Sequence, residues 1–338
     1  MNEAGTVRRG VAVVTGASAG VGRAVAKEFA SHGWRVALLA RGLDGLKGAA
    51  DDVQRLGGEP LMLPTDVADE AQVEAAAAAV ESKWGPIDVW VNDAMATIFS
   101  DALKIAPADW RRATEVTYLG TVWGTLAALR RMKPRDRGAI VQVGSALAYR
   151  SIPLQAPYCA AKAAIRGFTD SLRCELDYDR SRVHLTMVQL SAFNTPQFDW
   201  GRTTLTKRPR PMGKIFQPEI AAHAVFYAAT HRRRELWVGM PAIQAIVGTK
   251  FFPGLLDRLL GRTAVDGQHT DEPLPADRPD NLWHPVAGDH GAHGRFDAQA
   301  HDNSPQVWLD THPGFTAAAA AVGLLGVLGW LFAARRRA

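Results

Sequence analysis

Cysteine is scarce in this chain: Cys159 and Cys174 are the only two in 338 residues. Their placement suits neither a disulfide framework nor a thiolate metal site, which favours a reducing compartment and the cytoplasmic side. An excess of one charge is also missing. The formal net charge is +5, and the basic residues are scattered apart from Arg232–Arg234 and Arg335–Arg337. A nucleic-acid groove is therefore not indicated. No export signal is expected: Arg8 and Arg9 lead almost at once into an apolar strand and a glycine turn, where a signal peptide would need an uninterrupted apolar region. No internal repeat is present. Gly144-Ser145-Ala146 lacks the second glycine of a nucleophile elbow, which argues against a serine hydrolase. His290 and His293, with Asp289, Asp297 and His301 nearby, fall in a loop-like region and read as a solvated linker. No metal is assigned.

What is abundant is apolar sequence, 47% of the chain, enough for a sizeable core. Apolar runs near Val11–Val14, Val36–Ala40, Pro60–Leu63, Ile87–Val91, Ala139–Val143 and Val183–Leu190 alternate with longer helical patterns. Helices are expected to begin near Gly20, Leu43, Asp69, Pro107, Pro157 and Pro218, several opened by proline or a capping acid. This alternation predicts an α/β fold, a Rossmann-like doubly wound parallel sheet in a single domain, with a seventh strand at Leu236–Gly239 and a C-terminal extension. The alanine run Ala75–Ala79 reads as helix propensity.

Four segments follow: a catalytic domain over 1–240, an amphipathic helical region over 241–261, a Pro/Asp/His-rich linker or surface wrap over 262–314, and an apolar stretch over 315–334. Trp283 and Trp308 are candidates to dock the third segment back onto the domain. Ser191–Gln217 is long for a connection and carries a proline-broken basic run, Lys207-Arg208-Pro209-Arg210-Pro211. It is a candidate mobile substrate loop or lid. Phe315–Ala334 is about long enough to cross a bilayer, so membrane association is expected over a buried helix or a dimer contact. Arg335–Arg337 on its far side oppose the usual cytoplasmic placement of cations, so an interfacial or re-entrant position stays open.

The chemistry begins at Thr15-Gly16-Ala17-Ser18-Ala19-Gly20-Val21-Gly22, between the first strand and the first helix. Glycines allow sharp turns and close approach to a pyrophosphate, and the N-terminal N–H groups of the helix favour the anion. Tyr158 and Lys162 stand four positions apart at a helix start and share one face. An ammonium beside a phenol is expected to lower the phenol pKa toward working pH, so that Tyr158 can give or take a proton. Ser145 ends a predicted strand at the carboxyl edge of the sheet, where it can hydrogen-bond a reacting oxygen.

With these motifs together, the sequence resembles the short-chain dehydrogenase/reductase family over roughly Arg8 to Gly239. The resemblance rests on the glycine turn, Asp66-Val67 after the third strand, Asn92 after the fourth, and Ser145, Tyr158 and Lys162. It implies that Ser145 orients a carbonyl, that Tyr158 is the proton donor or acceptor, and that Lys162 also holds the nicotinamide ribose. It further implies that Asp66 and Val67 lie beside the adenine, that Asn92 supports the cofactor pocket, and that Thr195 lies near the carboxamide. The expected cofactor contacts are thus Thr15, Gly16, Ser18, Ala19, Gly20, Val21, Gly22, Arg41, Asp66, Val67, Asn92, Tyr158, Lys162 and Thr195. A homodimer or homotetramer through the helices near Pro107–Met132 and Pro157–Asp179 is likewise implied.

Three positions depart from the family pattern. Asn92-Asp93-Ala94-Met95 stands for Asn-Asn-Ala-Gly, Thr117 for a helix asparagine that relays protons, and Leu190-Ser191 for Pro-Gly. The second strand ends in Leu39-Ala40-Arg41-Gly42 rather than in an acid. A cation there fits a ribose 2′-phosphate, so NADP(H) is the expected cofactor. The expected activity is hydride transfer between the nicotinamide and a small-molecule carbonyl or alcohol, lipophilic if the pocket of Leu147, Tyr149, Leu154 and the 191–217 loop is apolar. The competing readings are a membrane-tethered dinucleotide-binding sensor or scaffold without turnover, which the missing asparagine motivates, and a sugar-nucleotide epimerase or dehydratase.

Overall fold

The protein is described by a computed structural model covering residues 10–315. Seven strands form one parallel sheet: β1 Val11–Thr15, β2 Arg35–Ala40, β3 Glu59–Pro64, β4 Val89–Asn92, β5 Ala139–Ser145, β6 His184–Leu190 and β7 Glu235–Val238. Their spatial order is β7-β6-β5-β4-β1-β2-β3. Helices cover both faces, so β1, β4 and β5 are buried along their whole length. This explains their unbroken apolar runs, since a strand covered on both sides has no solvent face to alternate with.

The helices are α1 Gly20–Ser31, α2 Leu43–Arg55, α3 Glu70–Trp84, α4 Pro107–Thr114, α5 Gly120–Met132, α6 Ala156–Tyr178 and α7 Pro218–Thr230. In α3 the Asp69 carboxylate caps the first turn by accepting from Ala71 N and Gln72 N. Val73, Ala76, Ala77, Val80 and Trp84 then form the buried stripe, and Gly85 ends the helix at φ 80°. α6 starts with Pro157 in its first turn and buries Cys159, Lys162, Ile165, Thr169, Leu172 and Leu176, which carries a lysine into the interior beside the sheet.

Sheet order reverses between β1 and β4, and the carboxyl ends of these strands diverge into a crevice. The glycine turn, the 92–95 turn and Ser145 all lie on that edge, at the ends of β1, β4 and β5.

Beyond β7 come α8 Met240–Phe251 and α9 Pro253–Thr263, then a strand, His269–Pro273, that pairs antiparallel with Lys207–Pro209. The 191–217 connection is thus tied down rather than free: Ala192–Phe193 also pairs with Ile215–Phe216. These two ladders anchor the segment expected to act as a substrate loop or lid. The Trp283 indole donates to the Asp109 carboxylate at 2.9 Å, and Trp308 stacks on His312 of its own segment. Among the described residues no helix is long and apolar enough to cross a membrane. The stretch 316–334, on which the membrane expectation rests, lies outside the described residues.

Candidate active site

A cleft of about 420 Å³ opens at the crevice. Gly16, Ser18, Ala19, Gly20, Val21, Arg41, Asp66, Val67, Ser145, Tyr158, Lys162 and Thr195 all line it. Thr15, Gly22 and Asn92 do not, and each has a different task. The Thr15 hydroxyl donates to Val91 O and accepts from Asp93 N and Ala94 N, tying β1 to the turn after β4. The Asn92 amide is used up below the cleft floor: its nitrogen donates to Thr125 and Gln142, and its oxygen accepts from the Trp90 indole. Gly22 serves close packing, because a Cβ there would lie 2.4 Å from Gly16 O. Gly16 and Gly20 have φ of 71° and 58°. Those angles need glycine and open the turn as a cradle that a diphosphate fits.

Ser145, Tyr158 and Lys162 form one wall. The Ser145 Oγ accepts from Leu147 N at 3.1 Å, and the Ser145 side chain acts on the Tyr158 phenol. Lys162 Nζ lies 5.6 Å from the Tyr158 ring centre and donates to Val143 O at 2.6 Å. The phenol pKa, expected to fall toward working pH, is instead raised. Burial is the main cause, Cys159 and Asp93 raise it further, and the Ser145 side chain opposes them.

Asp93, noted in the sequence only as a departure, brings a carboxylate into the cleft. The Gly22 backbone and the Lys162 ammonium both favour its charged form. Burial pushes its pKa up to about 7 against them. Burial lowers Lys162 to about 8, against Asp93. Thr117 is wholly buried in a π-type turn, Glu115–Leu119, and its hydroxyl donates to Ala96 O at 3.0 Å and accepts from Ala96 N at 2.9 Å. It clamps the strand-end loop and offers no free group for a relay.

At the other end of the cleft, the Asp66 carboxylate pairs with Arg112 at 2.6 Å and accepts from Ala68 N. Arg41 donates to the carbonyls of Asn281, Leu282 and Trp283. Sequence reasoning missed Arg112, whose helical position carries no motif. It also placed Tyr149 and Leu154 in the substrate pocket, and neither lines the cleft. The Tyr149 hydroxyl donates to Glu235 at 2.7 Å, while Leu154 turns away at φ 67° with its carbonyl accepting from Ser100 N.

The family model for short chain dehydrogenases matches residues 10–203. This chain belongs to the short-chain dehydrogenase family. As a short-chain dehydrogenase it is an oxidoreductase acting on CH–OH or C=O groups of small molecules. It is 30% identical over 334 residues to "Uncharacterized oxidoreductase YxnA" of Bacillus subtilis (strain 168), a match covering 97% of this chain and 91% of that one. Two solved structures share the fold. An alcohol dehydrogenase of the archaeon Thermococcus sibiricus complexed with 5-hydroxy-NADP is 26% identical with a TM-score of 0.60, covering 68% of this chain and 96% of that one. A metagenomic short-chain oxidoreductase in complex with NADP is 26% identical with a TM-score of 0.58, at the same coverage of 68% and 96%.

Proposed function

We propose that this short-chain dehydrogenase uses NADP(H) to interconvert a lipophilic carbonyl and its alcohol. One observation carries the reading: Ser145, Tyr158 and Lys162 converge on a wall of the same cleft that the glycine turn opens into. Arg41 on that cleft and the two NADP-bound structural neighbours support the phosphorylated coenzyme. When bound, the nicotinamide supplies or accepts the hydride.

The chain's own residues do the rest. Ser145 hydrogen-bonds the substrate oxygen and holds it at the Tyr158 hydroxyl, where the proton is passed. Lys162, fixed by the Val143 carbonyl, keeps a positive charge beside the developing phenolate. Leu147, Ile152, Phe193, Phe198, Met212 and Leu260 also line the cleft. Their character favours an apolar substrate body. Tyr158→Phe tests the reading: NADPH oxidation should fall by at least about a hundredfold while NADPH still binds. Unchanged turnover would remove Tyr158 as the proton donor, and with it the proposed mechanism.

A further inference from the structure

The cleft has a wall that the matched family segment does not supply. Asn281, Pro285, Val286, Gly288 and His290 line it, all from the extension beyond β7. This strap runs across the opening from the Arg41 end to the glycine turn. At one end Arg41 and Arg112 donate to its carbonyls, and Leu282 is fully buried. In the middle Gly288 N donates to Asp44, in the first turn of α2, at 3.1 Å. At the other end Asp289 pairs with Arg23 of α1 at 2.8 Å, an arginine only 3% exposed that also holds Asp52. The next contact is the most informative: Gly20 N donates to Gly291 O at 3.0 Å.

Gly20 is the first residue of α1, and its N–H belongs to the group that an anion at a helix N-terminus takes. The strap carbonyl and a diphosphate oxygen therefore compete for one donor, and two oxygens carrying negative charge repel across it. Gly294 continues the strap under equally tight packing: a Cβ there would lie 2.5 Å from Thr195 O. Arg41, the cation facing a 2′-phosphate, is likewise engaged by strap carbonyls.

We infer that residues 281–294 form the outer wall of the coenzyme site and must lift from Gly20 and Arg41 for NADP(H) to enter or leave. The inference rests on the reading of the cleft as an NADP(H) site and adds a step to it. The Arg23–Asp289 pair holds the strap down, and exchange of coenzyme is gated by its release rather than by diffusion into an open crevice.

Two variants of the full chain test this through NADPH fluorescence in stopped flow. Asp289→Ala should raise the NADPH association rate roughly fivefold, the size of a partly exposed ion pair. The second variant locks the strap. A Cβ on Gly42 would lie 3.2 Å from Pro285 Cβ, close to disulfide range. Gly42→Cys with Pro285→Cys, in a Cys174→Ser background, should slow NADPH uptake and release at least about tenfold when oxidised, and dithiothreitol should restore both. Equal exchange rates in the oxidised and reduced states would overturn the inference while leaving the NADP(H) reading intact. If the unmodified chain binds no NADPH, the functional reading falls and the strap's role with it.

Discussion

Asp93 and Lys162 act on each other's charge inside the cleft: burial pushes the acid up and the base down, and each pulls the other back toward its ionised form. Lys162 needs its proton to support a phenolate at Tyr158, so the carboxylate that helps keep it there bears on the pH range of turnover. In Asp93→Asn that support is gone. The alkaline limb of kcat/KM for carbonyl reduction should move toward acid by about one pH unit. An unmoved limb would show that Asp93 does not set the charge of Lys162.

The same pair predicts how stability follows pH. Burial pushes the Asp93 carboxyl up to about 7 in the folded chain, from an ordinary value of 3.8. The folded state therefore holds a proton that the unfolded chain has lost. That contribution is complete below pH 3.8 and fades as pH rises through 7. Lys162, lowered from 10.5 to about 8, works in the opposite direction, and stability returns as pH rises from 8 toward 10.5. Urea midpoints should fall between pH 4 and 7 in the wild type, and the slope should flatten in Asp93→Asn.

Thr117 stands where the family resemblance places a relay asparagine, but both faces of its hydroxyl are taken by Ala96. Thr117→Val leaves the buried Ala96 N–H and C=O without that partner. It should cost about 1–3 kcal/mol of stability by urea unfolding. The limbs of the pH–rate profile should stay in place. A displaced limb with unchanged stability would instead assign Thr117 to proton transfer.

The sheet and the centre of the site were legible because both are written in local pattern. Strands buried on two faces show as unbroken apolar runs, and the glycine turn and Tyr158/Lys162 pair have spacings tied to one turn and one helix face. Asp93 was visible only as a departure from a motif, since its charge matters through a lysine on another element. The strap was less visible still. It is held by backbone carbonyls and by glycines at φ 93° and 64°, Gly288 and Gly291, so no side-chain periodicity marks it. The phenol pKa of Tyr158 was misjudged because adjacency along a helix says nothing about how far burial counters a neighbouring charge.

Arg41 has two tasks that one experiment separates. Its guanidinium holds the strap through three carbonyls and also faces the cleft as its Arg41-end cation. Burial draws its pKa down and Asp66 opposes that, yet an arginine stays charged throughout the working range. If the 2′-phosphate is its ligand, Arg41→Ala should lower kcat/KM with NADPH by at least about tenfold relative to NADH, the worth of one charge-assisted contact. If its only task is the strap, both coenzymes should be affected alike. Steady-state kinetics with NADPH and NADH on the same preparation give that ratio directly. An equal fall for the two would transfer Arg41 from phosphate recognition to the strap, with coenzyme choice left to other groups at the Arg41 end of the cleft.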